Sequence, residues 1–265
     1  MTENNSFKLG YDYDAWQGYG QRDILSTDIS LKTNSHMILC GMSGSGKSYA
    51  LIWCLKMLIL VSTPEAKFFF ADFKQDDSFA FLRECTFYYP YKKSLEALEC
   101  VYTILHKRQS GENKDRYAVT LIWDEYMANI LALQGEDKKK AADVMNKVSE
   151  ILMLGRSLGV RFICSCQRPD AKYLGDGIRD QFNFRVALGR MSEMGYGMMF
   201  GETTKDFFLK QIKGRGYVDV GTSVISEFYT PLVPKGHDFL KEIKKLTDSR
   251  QGVQAACEAK AAETD

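Results

Sequence analysis

The chain has 265 residues, 45% of them hydrophobic, with 35 Lys and Arg against 34 Asp and Glu. That length and apolar content supply one sizeable α/β core with a short appendage, and the near-zero net charge excludes a globally basic nucleic-acid or membrane surface, so any such surface is local or built by assembling several copies. Seven cysteines without metal-ligand spacing, a polar start, "MTENNSFKLGYDYD", and no apolar run able to span a bilayer predict a soluble cytoplasmic protein with reduced, buried thiols and no direct membrane insertion.

In chain order, residues 1–35 read as a lead-in that packs on the domain following it. "HMILCG" is a first buried strand, and "KSYALIWCLKMLILV" is a helix whose start is set by a glycine turn and whose end is set by "STPE". "AKFFFAD" is a second strand, stopping at Asp72. "KKSLEALECVYTILHKRQSG" is a helix closed by Ser110 and Gly111, and "AVTLIWDEY" is a third strand ending on two carboxylates. Asp137 to Leu158 has helical spacing and is stopped by Gly159. "VRFICSCQRP" and "NFRVALGR" are a fourth and a fifth strand. Short helices fill "SEMGYGMMFG" and "TTKDFFLKQI", and "GRGYVDVG" with "SVISEFYTPLV" makes a final hairpin. From residue 235 the chain turns charged and then Ala/Glu/Lys-rich, a marginal helix or a tail. Strand-length runs alternating with helical segments predict a mostly parallel sheet with helices on both faces, and there are no internal repeats.

The chemistry starts at "GMSGSGKS", which fits G-x-x-x-x-G-K-[ST]. The loop Gly41, Met42, Ser43, Gly44, Ser45, Gly46, Lys47, Ser48, with Tyr49 following, turns backbone N–H groups inward around a β-phosphate, and the helix after it offers its N-terminal dipole to the same charge. Lys47 bridges the β- and γ-phosphates and the Ser48 hydroxyl ligates Mg²⁺. Such a loop serves kinases, switches and motors alike, and the end of "AVTLIWDEY" selects among them. Asp124 is placed to hold the metal's hydration shell, and Glu125 to polarise a water aimed at the γ-phosphate, so the pair favours hydrolysis over transfer to an acceptor hydroxyl. Gln167 and Asp72 end strands on the ligand edge of a parallel sheet. Arg156, Arg168 and Arg185 lie near the ends of strands, where an arginine reaching a neighbouring subunit's nucleotide would sit, although a solvated or ion-paired arginine is the commoner fate.

Taken together, "HMILCGMSGSGKS", "FFFADFK", "VTLIWDEY" and "LGRSLGVRFICSCQRPDAKYLGDGIRDQFNFRVALG" resemble the motor domain of the FtsK/SpoIIIE DNA translocases, within the FtsK/HerA group. The resemblance covers roughly residues 36 to 233. It implies a RecA-like P-loop NTPase of the additional-strand catalytic glutamate type with a terminal β-hairpin, ATP and Mg²⁺ as cofactors, and a ring, usually of six copies, moving on double-stranded DNA. It assigns Lys47 and Ser48 to the Walker A pair, Asp124 and Glu125 to the Walker B pair, and Gln167 to the sensor. Arg156 ranks before Arg168 as the residue acting on a neighbour's nucleotide. "ADFK" departs from the family's D-P-K, keeping Asp72 and Lys74 without the proline. With neither a transmembrane region nor a winged-helix module read in this sequence, the expectation is a compact form like those of a plasmid, phage or conjugative element. Lys138, Lys139 and Lys140, with Lys210, Lys213 and Arg215, are the candidate DNA contacts. On this reading the domains are a lead-in over 1–35, the ATPase over 36–234 and a charged tail over 235–265. The competing function is a nucleotide-gated coupling protein that recruits a relaxase or a membrane-anchored partner and translocates little DNA; a small-molecule kinase fits Glu125 poorly.

Overall fold

The computed structural model describes residues 6–28, 35–174, 177–202, 206–207, 212–231, 238 and 241. The chain enters through β1 (Ser6–Asp12), α1 (Tyr13–Tyr19) and β2 (Ile24–Asp28), then β3 (Met37–Gly41), α2 (Lys47–Val61), β4 (Lys67–Asp72), β5 (Tyr88–Pro90) and α3 (Ser94–Gln109). It continues with β6 (Val119–Asp124), α4 (Tyr126–Glu136), α5 (Lys138–Leu158), β7 (Val160–Cys166), β8 (Phe184–Leu188), α6 (Glu193–Phe200), β9 (Arg215–Asp219) and β10 (Ile225–Tyr229).

All the strands join one sheet in the order β2-β1-β10-β9-β8-β3-β7-β6-β4-β5. From β8 to β5 the neighbours are parallel, and from β8 to β2 they are antiparallel. The parallel strands β3, β4, β6 and β7 are buried along their whole length, which is why they read as continuous apolar runs rather than alternating ones. Their side chains divide by parity between two cores. Ile38, Cys40, Leu121, Trp123, Phe162 and Cys164 face the core built with α3, α4 and α5. Met37, Leu39, Phe70, Ile122 and Ile163 face the one built with α2 and β1. β7 lies between the strand that ends in the glycine turn and the strand that ends in Asp124, the inserted strand of a RecA-like sheet.

The helix over 47–61 and the one over 138–158 fall where the sequence predicts, and α5 starts where Asp137 caps it by accepting from the N–H groups of Lys139 and Lys140. Three parts are additions. β5 is three residues long and ends at a proline, too short for a pattern. α4 follows Glu125 without a side-chain cap. The lead-in does more than pack on the domain: β1 pairs with β10, Tyr11 opposite Tyr229, so residues before 36 extend the domain's own sheet. The predicted helix over "TTKDFFLKQI" and the tail from 235 lie outside the described residues, apart from Asp206, Phe207, Ile212, Asp238 and Lys241. Among the described residues all six cysteines are free thiols, and no helix is long and apolar enough to cross a membrane.

Candidate nucleotide-hydrolysis site

The register brings the functional groups to one edge. Cys40 is level with Cys166, and Asp72 with Asp124, so the carboxyl ends of β3, β7, β6 and β4 line up. The chain then turns at Gly41–Gly46, with Gly44 at φ +80° and Gly46 at φ +95°, left-handed conformations that glycine adopts without steric cost. Gly46 caps α2 without any side-chain hydrogen bond, which leaves the first-turn N–H groups of a 15-residue helix facing the loop. Ser45 Oγ is buried and has no hydrogen-bond partner among the described residues. Backbone N–H groups turned toward one concavity at a helix start are what a phosphate would complete.

Lys47, the last basic group of the loop, is buried and forms an ion pair with Glu125. Lys74 Nζ reaches the same carboxylate oxygen at 3.1 Å. Glu125 is itself buried and sits at φ +53°, a left-handed conformation that is costly for a residue with a side chain. The turn sends the carboxylate back over the phosphate loop while α4 leaves in the other direction. Asp124, one residue earlier, accepts a hydrogen bond from the Ser165 hydroxyl, and Ser165 Oγ accepts from the Glu125 N–H at 3.4 Å. Ser165 thus ties the Asp124 carboxylate to the backbone of Glu125. Burial pushes the Asp124 carboxyl up to about 6, against the opposing effects of Ser165 and Lys47. Asp72 is raised as well, again by burial, and accepts from Tyr88 OH at 2.6 Å and from the Asp76 N–H at 3.3 Å.

The donor set suits a hard divalent cation: the Ser48 hydroxyl and the buried Asp124 carboxylate are both oxygen ligands, and a carboxylate held out of water gains by meeting positive charge. Those two residues would hold Mg²⁺, which supplies charge neutralisation of the phosphates when bound.

The other predicted residues divide. Met42, Ser43 and Gly44 are exposed on the loop and Tyr49 is half-buried in the first turn of α2. Gln167 is exposed directly after Cys166, whose sulfur lies 3.2 Å from that of Cys40 beside the loop. Arg168 lays its guanidinium on Met194 and Met198 of α6, with Nη2 at 2.8 Å from Met194 Sδ. Arg185 donates to the carbonyls of Phe182 and Met199 at 2.8 and 2.9 Å, a structural use of its guanidinium. Arg156 is exposed on the last turn of α5, at the amino edge of the sheet, close enough to His36 to help lower that imidazole, which burial chiefly brings to about 3. Lys138, Lys139 and Lys140 are exposed at the start of α5. Lys213 is exposed, but its stem packs on the phosphate loop: a Cβ on Gly46 would stand 3.4 Å from Lys213 Cγ. Arg215 is mostly buried, ion-paired with Glu227 and stacked 4.2 Å over Tyr13, so its charge is taken up inside the hairpin instead of being offered to DNA. Lys210 lies outside the described residues. Sequence reasoning passes over Ser165, which reads as one small residue in a buried strand; only its register beside Asp124 marks it.

No family model matches the chain. It is 36% identical over 249 residues to the FtsK domain-containing protein YdcQ of Bacillus subtilis (strain 168), an alignment that covers 87% of this chain and 50% of that protein. The chain therefore spans about half the length of this curated relative. It superposes on the pCW3 conjugation coupling protein TcpA, solved as a monomer form with ATPγS, at a TM-score of 0.69 and 21% identity over 93% of this chain and 71% of that one. The match to EssC (ATPases 2 and 3) of Geobacillus thermodenitrificans has the same TM-score at 15% identity, covering 96% and 50%. At those identities the two structures speak to the fold, a P-loop ATPase sheet.

Proposed function

We propose that this chain is an FtsK-type P-loop ATPase that hydrolyses ATP as a ring oligomer, most simply a hexamer, to move double-stranded DNA in a mobile-element process. The observation that carries the hydrolytic part is Glu125 turned back over the phosphate loop and held by Lys47 and Lys74. An incoming γ-phosphate offers Lys47 a more highly charged partner. Once Lys47 turns to it, Glu125 keeps Lys74 on that oxygen and sheds one of its two cations, which releases the carboxylate to orient and deprotonate water. Asp124 and Ser48 hold the cation, Ser165 keeps the acids in place, and Gln167 stands at the loop as the sensor.

Arg156 supports the oligomeric part. It is exposed at the sheet edge opposite its own loop, so it has no phosphate to act on except a neighbour's. Lys138, Lys139 and Lys140 support the DNA part. Three cations in the first turn of a helix oppose its dipole, an arrangement that costs stability and suits binding to phosphates. A ring repeats them in every copy, which answers the neutral net charge.

The test is ATP hydrolysis with and without double-stranded DNA across salt concentrations, paired with native mass in a non-hydrolysable analogue. DNA-stimulated turnover by a multi-subunit particle is expected. Turnover indifferent to DNA, or a persistent monomer, would leave the nucleotide site alone standing and favour the recruitment reading.

A further inference from the structure

The phosphate loop accounts for one end of a nucleotide. Directly beside it lies a cavity of about 420 Å³ that the hydrolytic site does not use, within the size range of small-molecule sites, about 300–1,000 Å³. Its inner wall is Lys213 and Gly214, at the entry to β9. That wall is bonded to the loop: the Gly214 N–H donates to Ser45 O at 2.9 Å, and a Cβ on Gly46 would meet Gly214 N at 3.3 Å. The remaining walls are aromatic. Tyr11 and Trp16 come from the N-terminal segment and Tyr229 from the end of β10. Trp16 lies 5.8 Å from Tyr11 and 6.2 Å from Tyr229, ring centre to ring centre. The exposed guanidinium of Arg22 rests 5.1 Å over Trp16 at the rim.

One polar atom marks the interior. Thr230 lines the cavity, is only 6% exposed, and its hydroxyl has no hydrogen-bond partner among the described residues. Aromatic walls beside a phosphate loop, with Thr230 among the lining residues, point to a ligand with a flat π-face and a polar edge. We propose that the cavity bounded by Tyr11, Trp16, Lys213, Gly214, Tyr229 and Thr230 receives the purine and ribose of the nucleotide whose phosphates occupy the loop Gly41–Ser48. The aromatic rings stack the base, the Thr230 hydroxyl bonds its edge or the sugar, and Lys213 faces the phosphate nearest the ribose. This rests on the ATP reading of the loop and adds to it the residues that recognise the rest of the molecule.

The experiment compares equilibrium binding of ATP and of inorganic tripolyphosphate, both with Mg²⁺, to the full chain and to Trp16→Ala, Trp16→Phe and Thr230→Val. Trp16→Ala is expected to weaken ATP about tenfold and to leave tripolyphosphate unchanged, with Trp16→Phe recovering most of the loss. Thr230→Val, which keeps shape and removes only the hydroxyl, should weaken ATP severalfold and leave tripolyphosphate alone. Wild-type protein that binds tripolyphosphate as tightly as ATP would overturn the base site while the loop stands. Equal losses for both ligands in both variants would make the cavity a structural feature. A wild-type chain that binds neither ligand would sink the loop reading itself, and this proposal with it.

Discussion

The two halves of the sheet build their share of the site by opposite means. In the parallel half, eight consecutive residues make the phosphate cradle, and Asp124 and Glu125 are adjacent in the chain. In the antiparallel half, the cavity beside the cradle takes residues from positions 11 to 230 and joins them through the pairing of β1 with β10 and β10 with β9. Phosphate chemistry is largely a local backbone conformation and so can be written as a motif. A cavity for a flat, variable group is a surface between elements, and no short pattern encodes it. The parallel half should therefore respond to substitution through rate, and the antiparallel half through affinity and stability.

The largest break in that comparison is expected from Arg156→Ala, which should lower turnover roughly 10³-fold or more if the guanidinium acts on a neighbour, with ATP binding unchanged. Mixing it with Lys47→Ala should restore part of the activity, because each subunit supplies what the other lacks; no recovery would return Arg156 to the solvated surface. Next comes Glu125→Gln, expected to cut hydrolysis by about 10²–10⁴ while still retaining nucleotide, measured by single-turnover release of phosphate. A variant that hydrolyses normally would move the base elsewhere.

Asp124→Asn sharpens the same half through stability. Burial places the folded-state value of Asp124 near 6, above its ordinary 3.8, so ionising it costs folding free energy that is absent below about pH 4 and fully present above about pH 6. The neutral Asn removes that cost. Melting curves should show Asp124→Asn more stable than the parent by on the order of 2 kcal/mol at pH 7, the gap closing as pH falls to 4, even though hydrolysis is lost. A gap that does not change with pH would contradict the assignment of the cost to ionisation.

In the antiparallel half, Gly214→Ala forces a side chain onto φ +79° where the hairpin bonds to the loop. A loss of about 1 kcal/mol in chemical denaturation and a raised KM for ATP with little change in kcat are expected. The smallest effect belongs to the lysines. Replacing Lys138, Lys139 and Lys140 together by Ala should flatten the salt dependence of DNA binding by up to about one logarithmic unit per lysine and weaken all sequences alike; an unchanged slope would move the DNA surface elsewhere.

How legible each part was follows from the same contrast. β3, β4, β6 and β7 are readable because both faces are covered, so most positions are apolar and the runs stand out. α2 and α5 are readable because a glycine turn and an Asp cap mark their starts. α4 is hidden because it begins at a strained left-handed Glu125 whose side chain serves the site instead of capping the helix. β1 and β2 are hidden because both are mixed in polarity, and β1 joins the rest of the sheet only by pairing with a strand more than 200 residues away.

Local grammar, then, was enough to predict the parallel sheet and to propose the phosphate loop and the acidic pair, since each depends on neighbouring residues and on the periodicity of burial. Other features belong to the folded chain. They include the second cation on Glu125, the Ser165 hydroxyl between the Asp124 carboxylate and the Glu125 backbone, the withdrawal of Arg215 into Glu227, the outward-facing Arg156 and the aromatic cavity closed by the N-terminal segment. Each rests on a contact between residues far apart in sequence, and such contacts exist only once strand register has set which side chains meet.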